Sequence, residues 1–265
     1  MRMTPPALHR RAAAELVGTA ALVAVIVGSG IRAEALSQDI GVRLLANSLA
    51  SALGLGLLIA LLGPLSGAHF NPVVTLSEWW SRRREAGAPD VREVAVYLAA
   101  QLTGAVAGAL LADAMFGRTP GTWSTRAHAD VSLLLGETVA TAGLVLIVQG
   151  LRHIERPSLA PVAVAAYIAA AIWFTSSGSF ANPAATVGRS FSDSFTGIAP
   201  GSLPGFIGAQ FLGALLGIAL ATVLYGSGRA GAAGPAAPRP ADPDAPATPH
   251  PAPSEPRGRI LRRLR

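Results

Sequence analysis

A 265-residue chain that is 51% hydrophobic and only 14% charged, with a mean hydropathy of +0.46, has a membrane profile rather than a soluble one, and it has room for six spans of about 20 residues. The absence of cysteine excludes a disulfide framework, a thiolate metal site and a cysteine nucleophile. Every basic residue is arginine and the net charge is +6, but the arginines cluster in loops between apolar segments and at the two ends, so membrane topology explains the charge and no nucleic-acid partner is implied.

Residues 1–11 form a short basic N-terminal segment. The apolar run 12–31 reads as a first span rather than a cleaved signal, because it is long, carries Glu15 and is not followed by a convincing small-x-small site ahead of a soluble domain. A second span covers 44–62, and a short helix is predicted over 71–80, ending in Trp79, Trp80 and Arg82-Arg83-Arg84 as an interfacial aromatic and basic anchor. A third span covers 91–115, and the Gly- and Pro-containing loop 116–130 is long enough to cross between two halves. Spans follow over 131–151 and 159–175, then a second short helix over 182–191 and a sixth span over 204–225. Residues 226–265, rich in Ala, Pro and Gly, are expected to form a disordered basic tail on the cytoplasmic side; its terminal arginines suit either anionic lipid or solvent.

One pattern occurs twice, as Ser66-Gly67-Ala68-His69-Phe70-Asn71-Pro72-Val73-Val74-Thr75 and Gly178-Ser179-Phe180-Ala181-Asn182-Pro183-Ala184-Ala185-Thr186. Asn is a preferred N-cap and Pro fits the first helical position, so Asn71 and Asn182 each predict a helix start whose positive end points into the space ahead. Lipid would leave such loops with unpaired backbone groups, so they must line an enclosed cavity as re-entrant half-helices.

The repeat is wider than the loops. Glu15-Leu-Val-Gly-Thr-Ala-Ala-Leu-Val23 matches Glu137-Thr-Val-Ala-Thr-Ala-Gly-Leu-Val145, and Ala100-Gln101-Leu-Thr-Gly104-Ala105 matches Ala209-Gln210-Phe-Leu-Gly213-Ala214. The pairs Gly104/Gly108 and Gly213/Gly217 read as close helix packing. The repeats run over about 12–116 and 131–225; each holds three spans, an odd number, so the second is inverted and the half-helices face each other at the midplane. The arginine distribution places both termini in the cytoplasm, in a multi-pass protein of the plasma (inner) membrane.

Over residues 12–225 these motifs, with one Glu per repeat, resemble the aquaporin (major intrinsic protein) family. The resemblance implies an all-α membrane fold of six transmembrane helices plus two half-helices in an inverted repeat, usually a homotetramer with one pore per subunit. By that resemblance Asn71, Pro72 and Val73, with Asn182, Pro183 and Ala184, are the pore motifs, whose asparagines donate to a permeating solute. The carbonyls of Gly67, Ala68 and His69, and of Ser177, Gly178 and Ser179, form the acceptor ladder, and Glu15 and Glu137 brace the loops. A proton or ion relay is the other reading of those two carboxylates, and a pH sensor the other reading of His69.

The sequence departs from most aquaporins after the second motif, where Ala185 stands in place of arginine. Counting back from the motifs puts the other filter positions at Ser51, Ala170 and Ser179, so four small side chains imply a wide, uncharged constriction. With Thr175-Ser176-Ser177 and Arg189-Ser190-Phe191 this looks like bacterial aquaporins associated with arsenic-resistance genes. The solutes implied are neutral metalloid acids such as arsenite or methylated arsenicals, glycerol-like polyols and water. Arg189, one helical turn beyond Ala185, is a displaced vestibule charge, a cation capping the helix C-terminus, or the partner of Asp193. The alternative function is an ion-coupled secondary transporter, which needs ionisable groups at the midplane where the two loops are neutral. No closely spaced histidine pair and no nucleophile with a base points to an enzyme, a metal or a cofactor.

Overall fold

The computed structural model describes residues 6–85 and 88–226, so the expected tail beyond 226 and the first five residues lie outside the described residues. Eight α-helices follow in order: α1 Leu8–Leu36, α2 Ile40–Ser66, α3 Pro72–Arg82, α4 Val91–Met115, α5 Val131–His153, α6 Ala160–Phe174, α7 Pro183–Arg189 and α8 Leu203–Tyr225. Six of them are long and apolar enough to cross a membrane, and the protein is a multi-pass membrane protein.

Local chemistry sets the ends. Asp39 caps α2 by accepting from the Val42 amide at 3.0 Å, and Asp90 caps α4 through the Glu93 amide at 2.6 Å. α2 stops at Gly67, whose φ of +90° is the left-handed turn glycine makes without strain. The second half-helix is shorter than the expected 182–191, ending at Arg189.

The two halves fold alike. α1 packs on α4 and α2, and α5 packs on α8 and α6; each half-helix lies against the last long helix of both halves. Glycines make the closest crossings possible: a Cβ added to Gly108 would sit 2.2 Å from the Ala20 carbonyl oxygen, and one on Gly217 would sit 2.6 Å from that of Ala142. Backbones approach this closely where small residues face each other, which is how helices associate without a hydrophobic driving force in lipid. Outward, α2 shows an exposed stripe of Leu45, Leu49, Leu53, Leu57 and Leu61 at four-residue spacing, a face suited to hydrocarbon.

Candidate pore

Asn71 and Asn182 do two jobs each. Their side-chain oxygens cap the half-helices, Asn71 Oδ1 accepting from the Val73 amide at 3.0 Å and Asn182 Oδ1 from Ala184 and Ala185 at 3.0 and 3.2 Å. Their amides cross to the opposite loop, Asn71 Nδ2 donating to the Ala181 carbonyl at 2.7 Å and Asn182 Nδ2 to that of Phe70 at 2.8 Å. Each Nδ2 carries a second hydrogen for which no further protein acceptor is found among the described residues.

The loops ahead of them have matching backbones. Ala68 and Phe70 in the first, and Ser179 and Ala181 in the second, have φ between 46° and 50°, next to Gly67 and Gly178 at 90° and 70°. Such left-handed conformations cost non-glycine residues energy, so other contacts must enforce them. Two carboxyl groups do. Glu15, fully buried, accepts from the His69 amide at 3.0 Å, the Phe70 amide at 2.7 Å and the Ser66 hydroxyl at 2.7 Å. Glu137, equally buried, accepts from the amides of Phe180 and Ala181 at 2.8 and 2.9 Å.

One glutamine completes each brace. Gln101 Nε2 donates to Glu15 at 2.8 Å and to the Thr75 hydroxyl at 2.9 Å; Gln210 Nε2 donates to Glu137 at 2.7 Å and to the Thr186 hydroxyl at 2.8 Å. The sequence carried the signal, since both glutamines fall in the matching Ala-Gln segments, but their role shows only when the carboxyl groups lie beside them. His69 is held by its Nδ1, 3.1 Å from the Thr75 hydroxyl, and by an edge contact with Tyr97.

A single cavity of about 1350 Å³ passes both asparagines. It opens at Glu78, Arg82 and Arg152, on the side where α1 begins and α8 ends, and at Arg126, His128 and Arg189 on the opposite, far side. Gly67, Ala68 and His69, then Ser177, Gly178 and Ser179, line it. Among the described residues no protein donor reaches their carbonyls, in contrast to those of Phe70 and Ala181.

Comparison with known proteins gives the same answer. The family model for "Major intrinsic protein" matches residues 2–176. Aquaglyceroporin AqpS of Rhizobium meliloti is 47% identical over 214 residues, covering 80% of this chain and 89% of the relative. The chain belongs to the major intrinsic protein, or aquaporin, family. The probable aquaporin AqpM of Archaeoglobus fulgidus is 31% identical over 246 residues, covering 82% of this chain and 96% of the relative. The X-ray structure of the aquaglyceroporin from Plasmodium falciparum shares the fold, with a TM-score of 0.58 at 21% identity, over 81% of this chain and 95% of that one. As a family member the protein is a membrane channel for small neutral solutes, not an enzyme.

Against this aquaporin frame, the four filter positions fall unevenly. Ser51, Ser179 and Ala185 line the cavity, all buried, and among the described residues the hydroxyls of Ser51 and Ser179 have no partner. Ala170 does not line it. The cavity face of α6 is Pro161, Val164, Ile168 and Ile172, and Ala170 lies about 200° around the helix from Ile168, on the exposed side. Counting twelve residues back from Asn182 assumes a helix rotation that two bonds of α6 override. Tyr167 donates its hydroxyl to the Ala140 carbonyl at 2.9 Å, and Trp173 donates its indole N–H to the Ser48 hydroxyl at 3.1 Å. At this level of α6 the cavity is lined by Ile172 and not by Ala170.

Arg189 points into the cavity rather than to Asp193. Its Nε donates to the Thr196 carbonyl, and its guanidinium stacks 3.3 Å above the Phe180 ring. Asp193 Oδ1 is taken by the amide and hydroxyl of Thr125 at 3.0 and 3.1 Å. Ala185, one turn earlier, is packed into a cluster with Val23, Val27 and Ala105. At Gly188 a Cβ would lie 2.6 Å from the Ala105 carbonyl oxygen, so α7 sits tightly on α4.

Proposed function

We propose that the chain is a passive channel for small neutral solutes larger than water, namely glycerol-like polyols and neutral metalloid acids such as arsenite or methylated arsenicals, with water passing as well. The observation that carries this reading is the cavity wall at Ala185, where a methyl group stands at the position that most aquaporins fill with arginine. Ser51, Ser179 and Ile172 line the same cavity; a constriction formed by these side chains with Ala185 would hold no fixed charge and would offer hydroxyls beside an apolar flank, a surface suited to polyhydroxylated molecules.

In this mechanism a solute leaves water and is re-solvated by the loops. The free hydrogens of Asn71 and Asn182 donate to its oxygens, while the carbonyls of Gly67, Ala68, His69, Ser177, Gly178 and Ser179 accept from its hydroxyls. Both half-helices aim positive ends at the same point, which repels cations and protons. Glu15 and Glu137 hold the loops and carry no proton across. Arg189 is a displaced charge at the far mouth. The aquaglyceroporin name of the Rhizobium meliloti relative fits the polyol reading. The protein works as a homotetramer in the plasma (inner) membrane with cytoplasmic termini.

The test is uptake of glycerol and of arsenite into proteoliposomes. Rates proportional to the solute gradient and unaffected by collapsing proton and sodium gradients are expected; dependence on either ion gradient would make the protein a coupled transporter instead.

A further inference from the structure

The residues lining the cavity include one carboxylate, Glu78, and it lies at the side where α1 begins, with Arg82 and Arg152. The far mouth is lined by Arg126, His128 and Arg189 and by no acid. Arg189 uses only its Nε within the protein; among the described residues neither terminal nitrogen has a hydrogen bond or an ion pair, and the ring of Phe180 fixes the plane of the guanidinium. Arg126 meets Glu34 at 3.1 Å, but that carboxylate is shared with Arg43 at 4.0 Å, so one acid serves two rim arginines. Glu137 is already bonded to two amides and to Gln210, and Asp193 Oδ1 to the amide and hydroxyl of Thr125. Around these charges the wall is apolar and aromatic, with Ile172, Trp173, Phe180 and Phe195.

A planar fork of free N–H groups, excess positive charge and an aromatic rim together match one ligand class, a monovalent oxyanion on a small apolar body. We propose that the far mouth binds such organic oxyanions, arylsulfonates and arylcarboxylates, between Arg189 and Arg126, and that an occupied mouth blocks neutral solutes. The plugging half of this inference rests on the channel reading above; the binding half does not.

The probe is benzenesulfonate, which stays ionised and does not cross bilayers, and the readout is Trp173 fluorescence of the full-length protein in nanodiscs, with chloride replaced at constant ionic strength. A saturable change that is lost in Trp173→Phe is expected, with affinity reduced about ten-fold or more by Arg189→Gln and several-fold by Arg126→Gln, the size of a lost charge-assisted bond. Methanesulfonate, which lacks the ring, binds more weakly. Absence of a saturable change, or equal affinity in both arginine variants, overturns the site; Arg126→Gln keeps the test decisive if Arg189→Gln does not fold. Binding without inhibition of glycerol influx overturns the plugging half. Intact binding in a protein that passes no glycerol at all leaves this site standing and removes glycerol from the proposed solutes.

Discussion

Asn182 donates to the carbonyl of Phe70 at 2.8 Å while Asn71 donates to that of Ala181 at 2.7 Å, so each half-helix cap also fastens the opposite repeat's loop. Replacing either asparagine by alanine removes an N-cap, about 1 kcal/mol, and leaves a buried carbonyl without its donor, about 1–3 kcal/mol. Asn71→Ala and Asn182→Ala are therefore predicted to destabilise by similar amounts, read as lowered thermal unfolding midpoints in detergent. A large effect for one and none for the other would contradict the reciprocal arrangement.

The glutamine braces give a second prediction. Gln101→Leu strips Glu15 and Thr75 of a shared donor, and Gln210→Leu does the same to Glu137 and Thr186. Each is predicted to cost about 1–3 kcal/mol and to raise protease sensitivity at the loop it supports. Wild-type stability in both variants would mean that the carboxyl groups hold the loops unaided.

The rotation of α6 is open to a direct check. Ile172→Trp fills the cavity and is predicted to cut glycerol permeability about ten-fold or more, the effect of closing a filter-limited path. Ala170→Trp, on the exposed side, leaves permeability unchanged. The reverse order of effects would restore Ala170 to the filter.

His128, half-buried in the loop before α5 with Phe180 and Phe206 against its ring, has its pKa held below the ordinary 6.5, first by burial and further by the charges of Arg189 and Arg126, against the opposing Arg126 carbonyl and Glu137. The unfolded chain therefore takes up this proton before the native one does. The stability contributed by neutral His128 is present above 6.5 and is lost as pH falls through its lower native value. Melting midpoints measured between about pH 7 and pH 5 should fall less in His128→Gln than in wild type; parallel curves would exclude His128 as the source.

Much of the fold was legible because membrane helices announce themselves by length and apolarity, and because Asn-Pro followed by small residues specifies a helix start wherever it occurs. Glu15 and Glu137 were legible for a related reason: a carboxyl group in an apolar run needs donors, and an amide-rich loop in the same repeat needs acceptors. Gln101 and Gln210 were visible as repeat landmarks, yet a polar residue on a helix does not reveal its partner until the helices are packed. Ala170 failed for a rotational reason. Separation along the chain fixes height in the membrane better than it fixes which way a helix faces, and Tyr167 and Trp173 set that direction through bonds to α5 and α2. For Arg189 the sequence offers Asp193 as a partner four residues on, but a one-turn spacing does not show that Asp193 accepts from Thr125 instead.

The central claim is that the constriction is wide because Ala185 leaves it uncharged and short of a side chain. Stopped-flow light scattering on proteoliposomes under glycerol and water gradients, comparing wild type with Ala185→Arg, tests it most directly. The account predicts rapid glycerol influx in wild type and a loss of about ten-fold or more in the variant, with water flow affected far less, as a narrowed and charged filter requires. Glycerol exclusion by the wild type, or glycerol influx that the added arginine leaves unchanged, would contradict it.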